Sequence, residues 1–176
     1  MEIVKLDYSK AASIFGVSLE VAAIAGCREV VEEILSSFRG AIYLKNKSNQ
    51  TIFHLAIVNR RENIFNLVYQ FKEFSNLFIS RVDITMNNGL HLAGRFKSQQ
   101  KLNLRARAAG AALQMQLELQ WFKEVENFTL VTARERKKDE EKTPRMLFTE
   151  THEELIKEGE QWMKDTSNSC TIVAAL

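Results

Sequence analysis

A short motif recurs along this chain at a nearly fixed interval, and that recurrence constrains the fold more than any other feature. Leu19-Glu20-Val21-Ala22-Ala23, Phe53-His54-Leu55-Ala56-Ile57 and Leu90-His91-Leu92-Ala93-Gly94 align on alanines 22, 56 and 93, which are 34 and 37 residues apart. Self-similarity at such a period marks a stack of helix-turn-helix units, none of which buries its apolar face alone. The match extends beyond the motif. Gly26 follows the first copy and Asn59-Arg60-Arg61 follows the second, each a break ahead of another apolar run. In those runs Val30/Val31 and Ile34/Leu35 line up with Ile64/Phe65 and Leu67/Val68, the pattern of a helix with one broad apolar face. Each unit therefore reads as a short helix, a tight turn, a longer helix and a polar loop such as Lys45-Asn46-Lys47-Ser48-Asn49.

The motif residues have separate physical roles. Thr51 stands where it caps the free N–H groups of the helix that follows. His54, three residues on, carries two ring nitrogens that can tie this helix to neighbouring loops. Ala56 and Ala93 are small where paired helices must approach closely. The third unit departs from the pattern. Gly110 lies nineteen residues after His91, whereas Gly26 lies six after Glu20, so about thirteen extra residues separate its helices. The next helix, Gly110 to about Val125, carries Leu113, Leu117, Trp121 and Val125 on one stripe and Met115, Leu119 and Phe122 on another. Two stripes predict packing between two neighbours. A fourth unit opens at Thr143-Pro144, a cap followed by proline at the first helical position. Its second helix is expected from about Glu153 to Lys164, with Leu155, Gly159, Trp162 and Met163 inward. The charged run Arg134 to Lys142 reads as a solvated loop, or as a protruding β-hairpin finger.

Composition supports a helical fold and narrows the chemistry. Among 176 residues, 45% are apolar and 26% charged, enough for a continuous core. Seven glycines and one proline are too few for the turns of a β-rich fold. The net charge of +2 points neither to a nucleic-acid protein nor to an acidic tail. Cys27 and Cys170, far apart, read as free thiols of a reducing compartment. The start of the chain lacks the apolar run of a signal peptide, so the glycosylation-type matches at Asn46, Asn49 and Asn127 read as chance. No phosphate-binding glycine loop, His-Glu-x-x-His, Cys-x-x-Cys or Gly-x-Ser-x-Gly occurs, and a binding module is expected, not an enzyme. No catalytic, cofactor-binding or metal-ligating residue is assigned. His54 and His91 share one repeat position, which favours structural tethers over ligands, and His152-Glu153-Glu154 reads as a helix start. Phe65, Tyr69, Phe71, Phe74 and Phe78 read as core, with one or two as candidate interface anchors.

Charge is unevenly spread. Arg95, Lys97, Lys101, Arg105 and Arg107 fall in a stretch without an acid. Three readings follow: a solvated loop, a membrane-proximal patch facing anionic lipid, where each basic residue contributes about 1 kcal/mol, and, last, a nucleic-acid contact. The uncharged end, Cys170 to Leu176, reads as the first turns of an apolar segment, with a packed C-terminal helix as the alternative.

Three long segments resemble a particular family. Gly110-Ala-Ala-Leu-Gln-Met-Gln-Leu-Glu-Leu-Gln-Trp-Phe-Lys-Glu-Val125, Lys142-Thr-Pro-Arg-Met-Leu-Phe-Thr-Glu-Thr-His152 and Glu158-Gly-Glu-Gln-Trp-Met-Lys-Asp-Thr-Ser-Asn-Ser-Cys170 closely resemble plant ankyrin-repeat proteins with a C-terminal PGG domain. With the repeats upstream, the resemblance covers nearly the whole chain. It implies ankyrin repeats on the cytosolic face of a membrane, with transmembrane helices following, in proteins implicated in defence, salicylic-acid-linked cell death and salt stress. The chain departs from the ankyrin pattern at Glu20, which replaces the motif histidine, and in having proline only in the fourth unit.

The expected fold is thus all-α: an ankyrin-repeat solenoid of about four units, 14–47, 48–84, 85–131 and 140–166, the third carrying an insertion. Residues 1–169 form the repeat domain and 170–176 begin an apolar or transmembrane segment. The expected function is protein binding through loop tips, with Lys45, Asn46, Lys47, Arg81, Asp83, Asn87, Asn88, Arg134, Arg136 and Lys138 as candidate contacts. The partner is a protein, and no cofactor is expected. The alternative is a regulatory or oligomerisation domain of a membrane channel or signalling complex, touching anionic lipid through the basic insertion.

Overall fold

The computed structural model describes residues 8–71, 76, 78–95, 110–138 and 142–174. Those residues are helical and irregular, with no strand among them, so the all-α expectation holds. The elements are α1 (Tyr8–Ala25), α2 (Arg28–Ser37) and a 3-10 helix (Arg39–Tyr43), then α3 (Ile52–Val58), α4 (Glu62–Phe65) and a 3-10 helix (Asn66–Phe71). They continue as α5 (Gly89–Ala93), α6 (Gly110–Asn127), α7 (Val131–Arg134), α8 (Pro144–Thr151) and α9 (Glu153–Ala174).

The helices pack in two rows. In the first, α1 lies on α3, α3 on α5 and α5 on α8. The second row is less even: α2 touches α4, and α6 packs along α9. The core runs between the rows. Ala23, Ala56 and Ala93 are fully buried, as close approach of successive first helices requires. Phe53, Phe65, Ile57, Ile64 and Leu90 fill the space between them, each burial stabilising by about 1.5–3 kcal/mol.

Local sequence explains most boundaries. Gly26 stops α1 at φ +83, and its N–H and that of Cys27 both donate to the Ala22 carbonyl at 2.9 Å. Gly110 sits at φ +81 at the start of α6, in the position matched to Gly26 by repeat alignment. Thr143 Oγ1 accepts the Met146 N–H at 3.3 Å, with Pro144 at the first helical position. Gly94 lies so close to α8 that a Cβ there would stand 3.0 Å from the Pro144 carbonyl oxygen.

Four expectations need correction. The first helix of the opening unit is not short, since α1 spans 18 residues. The second helix of the next unit is α-helical for only four residues and then winds as 3-10, where residues three apart eclipse. That winding aligns Ile64 with Leu67 and Phe65 with Val68, and all four are fully buried. On α6 only the later half is covered: Trp121, Phe122 and Val125 are buried, whereas Leu113, Leu117 and Leu119 are exposed. On α9, Leu155 and Gly159 face inward but Trp162 and Met163 are 48% and 53% exposed, because α9 leans chiefly on α6. The helix also runs past Lys164 without a break to Ala174. Among the described residues, no helix is long and apolar enough to cross a membrane.

Candidate functional site: the loop-side cleft and its tethers

Three loops lead into first helices, and all three close by the same backbone bond. The N–H of Asn46 donates to the Gln50 carbonyl at 3.0 Å, that of Asp83 to Asn87 at 2.9 Å and that of Lys138 to Lys142 at 3.1 Å. The next residue in each is the helix cap: Thr51, Asn88 and Thr143. In the first two loops one side-chain oxygen organises the turn. Asn46 Oδ1 accepts from the N–H groups of Ser48 and Gln50 at 3.0 and 2.9 Å. Asp83 Oδ1 accepts from those of Thr85 and Asn87 at 2.8 and 3.0 Å. Asn49 and Met86 then take left-handed φ values of 60° and 59°, a conformation that suits Asn and strains Met. The two loops are also joined. Ile84 N–H donates to the Ser48 carbonyl at 3.1 Å, and Asn49 Nδ2 to Val82 at 2.8 Å.

The motif histidines lock these loops to the helices. His54 Nδ1 accepts the Thr51 N–H at 3.3 Å and meets its hydroxyl at 2.9 Å, so Nε2 carries the proton. Nε2 then donates to the Arg81 carbonyl at 3.1 Å, tying one unit to the next loop. His91 repeats the arrangement one unit later: Nδ1 accepts the Asn88 N–H at 3.4 Å, while Asn88 Oδ1 accepts the His91 N–H at 3.0 Å. Its buried Nε2 lacks a partner at hydrogen-bond distance, and the carbonyls of Lys142 and Arg136 face it. Burial pushes both histidines below their ordinary value, against the pull of those carbonyls. In the first unit Glu20 occupies the histidine position, and its Oε1 accepts from Asn46 Nδ2 at 3.0 Å. Glu20 thus preserves the inter-unit link without a histidine.

Between the loops lies an open cleft of about 570 Å³. Ile84, Leu92 and Leu147 contribute apolar lining, and Arg95, Lys138 and Lys142 contribute charge. Of the residues expected at the contact surface, Lys45, Lys47, Arg81 and Arg136 are exposed and Asn46, Arg134 and Lys138 are half-buried. Arg81 lies over the Phe78 ring at 5.9 Å, and Arg134 Nε donates to the Thr129 carbonyl at 3.1 Å. Asp83, Asn87 and Asn88 are corrections: all three are buried, and their side chains are taken up by the loop and its neighbours. They shape the surface without presenting themselves on it. Burial pushes the Asp83 carboxyl up, but hydrogen bonds from Thr85, Asn87 and Gln50 outweigh that and hold it below the usual range. Sequence reasoning missed Ile84 and Met86, apolar residues that are 66% and 45% exposed on the same loop. Their isolation within a polar run was the available signal.

Arg95, the one described member of the basic stretch, is exposed and donates to Asn87 Oδ1 at 3.1 Å. Lys97, Lys101, Arg105, Arg107 and Phe74 lie outside the described residues, as do 139–141 of the expected hairpin finger. On either side of 139–141 the chain is α7, irregular backbone and the single pinch from Lys138 to Lys142.

A second polar centre sits opposite the loops, where the inter-helix turns meet. Glu118 is 5% exposed and its Oε2 lies 2.7 Å from Arg60 Nη2 and 3.4 Å from His152 Nε2. The Arg60 guanidinium also donates to the carbonyls of Ile57 and Ala93 at 3.0 and 2.9 Å and rests against Trp121. Burial pushes the Glu118 carboxyl up, but the bond to His152 and the Arg60 charge more than compensate, leaving it below its ordinary value. The carboxylate therefore joins the turn after α3 to the end of α8, and the Arg60 guanidinium it pairs with adds the end of α5. The same turn also reaches backward: Arg61 Nε donates to Ile24 and Asn63 Nδ2 to Gly26, at 2.7 and 2.6 Å.

Among the described residues no group of three or more His, Cys, Asp or Glu side chains is arranged to hold a metal ion. No protein-family model matches the chain, and no curated protein matches it either.

Proposed function

We propose that this chain is a protein-interaction module of the ankyrin type, presenting loop tips and first helices of about four stacked units as one extended surface. The observation that carries this reading is the threefold loop closure at 46–50, 83–87 and 138–142, each leading into a capped first helix. Repeated loops rigidly spaced by buried histidines give a partner a continuous surface in place of one deep pocket. The loops expose basic Lys45, Lys47, Arg81 and Arg136 together with apolar Ile84 and Met86, the mixture of charge and apolar anchor that recognition surfaces use. The resemblance of the C-terminal segments to plant ankyrin-repeat proteins with a PGG domain supports a position at the cytosolic face of a membrane, the plasma membrane first. It also supports a role in defence or stress signalling.

The test is affinity capture from plant lysate with the whole chain as bait, beside a Lys47→Glu, Arg81→Glu, Arg136→Glu variant, at low and high salt. A protein retained by the parent at high salt and lost by the variant is the expected result. Equal capture by both would remove the loop surface from the proposal, and capture of anionic lipid or nucleic acid alone, abolished by salt, would remove the protein partner.

A further inference from the structure

Three described residues other than glycine hold a left-handed backbone, and two of them have a visible reason. Arg60 spends its guanidinium on Glu118 and on the carbonyls of Ile57 and Ala93. Asn49 is of a type that adopts this conformation readily, and its side chain donates to the Val82 carbonyl at 2.8 Å. Met86 has neither compensation. A methionine at φ 59° is strained, yet its side chain is 45% exposed, so burial offsets little of the strain. Asp83 enforces the bend. Its carboxylate accepts from the N–H groups of Thr85 and Asn87, and its carbonyl accepts the Met86 N–H at 3.1 Å. An exposed methionine kept where Asn or Gly would sit more easily points to a contact outside the chain.

The surface next to Met86 gives that contact a chemistry. Ile84, two residues back, is 66% exposed. The Ile84 N–H is bonded to the Ser48 carbonyl and the Asn49 side chain to Val82, so the two loops form one body that also carries Lys47 and Arg81. Lys45, Lys47 and Arg81 are all exposed. Arg81 shares the Phe78 ring with Tyr43, itself 42% exposed. Among the described residues, the acids bonded to these loops are already taken: Asp83 is buried in its own turn and accepts from Gln50, and Glu20 is held by Asn46. The inter-helix turns on the opposite side expose Glu29 and Glu62 as well as Arg61, so the basic excess belongs to the loop side. We infer that the joined loops 45–50 and 81–88 bind an acidic segment of a partner protein, with Met86 and Ile84 as apolar anchors and Lys47 and Arg81 meeting its carboxylates. This rests on the protein-binding role proposed above for the loop surface and names the chemistry of its partner. Opposite charge steers such a segment and fixes its register. The unbranched, polarisable methionine side chain adapts to the apolar group that arrives. Concavity favours a peptide over a bilayer. Ile84 and Thr85 form part of the wall of the cleft of about 570 Å³, where Ser48 and Gln50 bring polar groups that an extended backbone can engage and a flat lipid surface cannot reach.

A random peptide library displayed on phage and selected against the whole chain tests the inference. Enriched peptides are expected to carry more Asp and Glu than the starting library, next to an aliphatic or aromatic residue. Synthesised and labelled, they should bind at least about tenfold more weakly to the Lys47→Glu, Arg81→Glu variant and to Met86→Asn, the size of loss that an interface anchor gives. Met86→Asn should meanwhile leave the urea midpoint level or raise it, because Asn accepts the left-handed backbone. A lowered midpoint would make Met86 a residue kept for the fold, and acidic peptides indifferent to Met86→Asn would bind elsewhere. Failure to enrich any peptide, or capture of phosphatidylserine vesicles with the same dependence on Met86, would remove the acidic segment as the occupant. Each of these outcomes overturns the inference. Enriched peptides without an excess of acid that still lose affinity for both variants would overturn it too, while leaving loop-mediated protein binding intact. Failure of that broader reading shows separately, as equal capture from lysate by the parent and the loop variant.

Discussion

Glu118, on α6, joins the turn after α3 to the end of α8, and its removal should be felt in all three elements. Glu118→Ala leaves the half-buried Arg60 guanidinium with its carbonyl bonds but without its counter-charge, and the lost charged hydrogen bond should cost about 1.5–3 kcal/mol. Urea unfolding would read this as a lower midpoint at unchanged slope, and a loss below about 1 kcal/mol would mean that the cluster is solvated. Combining it with Arg60→Met should recover part of the loss, since no charge is then stranded. The histidines give a second test. Burial lowers both His54 and His91 below 6.5, so the folded state binds fewer protons than the unfolded chain once the pH drops below that value. Their contribution is complete above about pH 6.5 and is lost as pH falls toward their folded values. Asp83 and Glu118, held below 3.8 and 4.5, add a further loss on acidification through that range. Tm should therefore be level above about pH 7 and fall steadily by pH 5. A Tm unchanged between those two values would contradict the burial of neutral histidines. The two tethers were legible in the sequence because they recur at one repeat position. Glu118 was not, because it sits between Leu117 and Leu119 in an apolar run and its partners lie 58 and 34 residues away.

Among the elements, the capped first helices were the legible part. Thr51 and Thr143 announce α3 and α8 locally, and the three-residue step from cap to histidine recurs at Thr51–His54 and Asn88–His91, marking α3 and α5. The second helices were less legible, since their apolar runs do not say how tightly they wind or which neighbour covers them. Hence the 3-10 turn at Asn66–Phe71 and the bare outer face of α6 were not foreseen. The loops divide in the same way. Asn46 and Asp83 look like contacts in the sequence because they are polar and lie between helices, yet each spends its side chain on its own turn. Their unequal burial makes a prediction at this scale. Asp83→Ala deprives several donors at a buried position and should cost about 2–3 kcal/mol, whereas Asn46→Ala, half-buried, should cost about 1. Equal losses in denaturant titrations would mean that the second loop is not the more deeply anchored. Gly89→Ala tests the floor beneath that loop, because its Cβ would stand 2.7 Å from Ile79 Cγ2 and 2.9 Å from the Ile79 carbonyl. The overpacked variant should lose about 1–3 kcal/mol.

At the scale of the molecule, the links between units determine where the chain opens. The middle units are held from both sides: Arg61 and Asn63 reach back to Ile24 and Gly26, and Arg60 reaches forward to Ala93 and Glu118. In α3 and α5 nearly every side chain is buried. By contrast, residues 160–168 of α9 expose their side chains throughout. Local stability follows such burial, so a gradient in opening free energy should run from the centre outward. Hydrogen–deuterium exchange should find the amides of Leu55 to Val58 and Leu92 to Ala93 among the slowest, near the global unfolding free energy. Those of the later turns of α9 should exchange orders of magnitude faster while its first turns, clasped to α6 around Gly159, remain protected. Glu118→Ala should steepen that gradient, because it severs α6 and α8 from the Arg60 turn while leaving the contacts of α1 with α3 intact. Uniform protection along the chain, in the parent and the variant alike, would mean that cooperativity spreads evenly and that the charge cluster is not what couples the later units to the earlier ones.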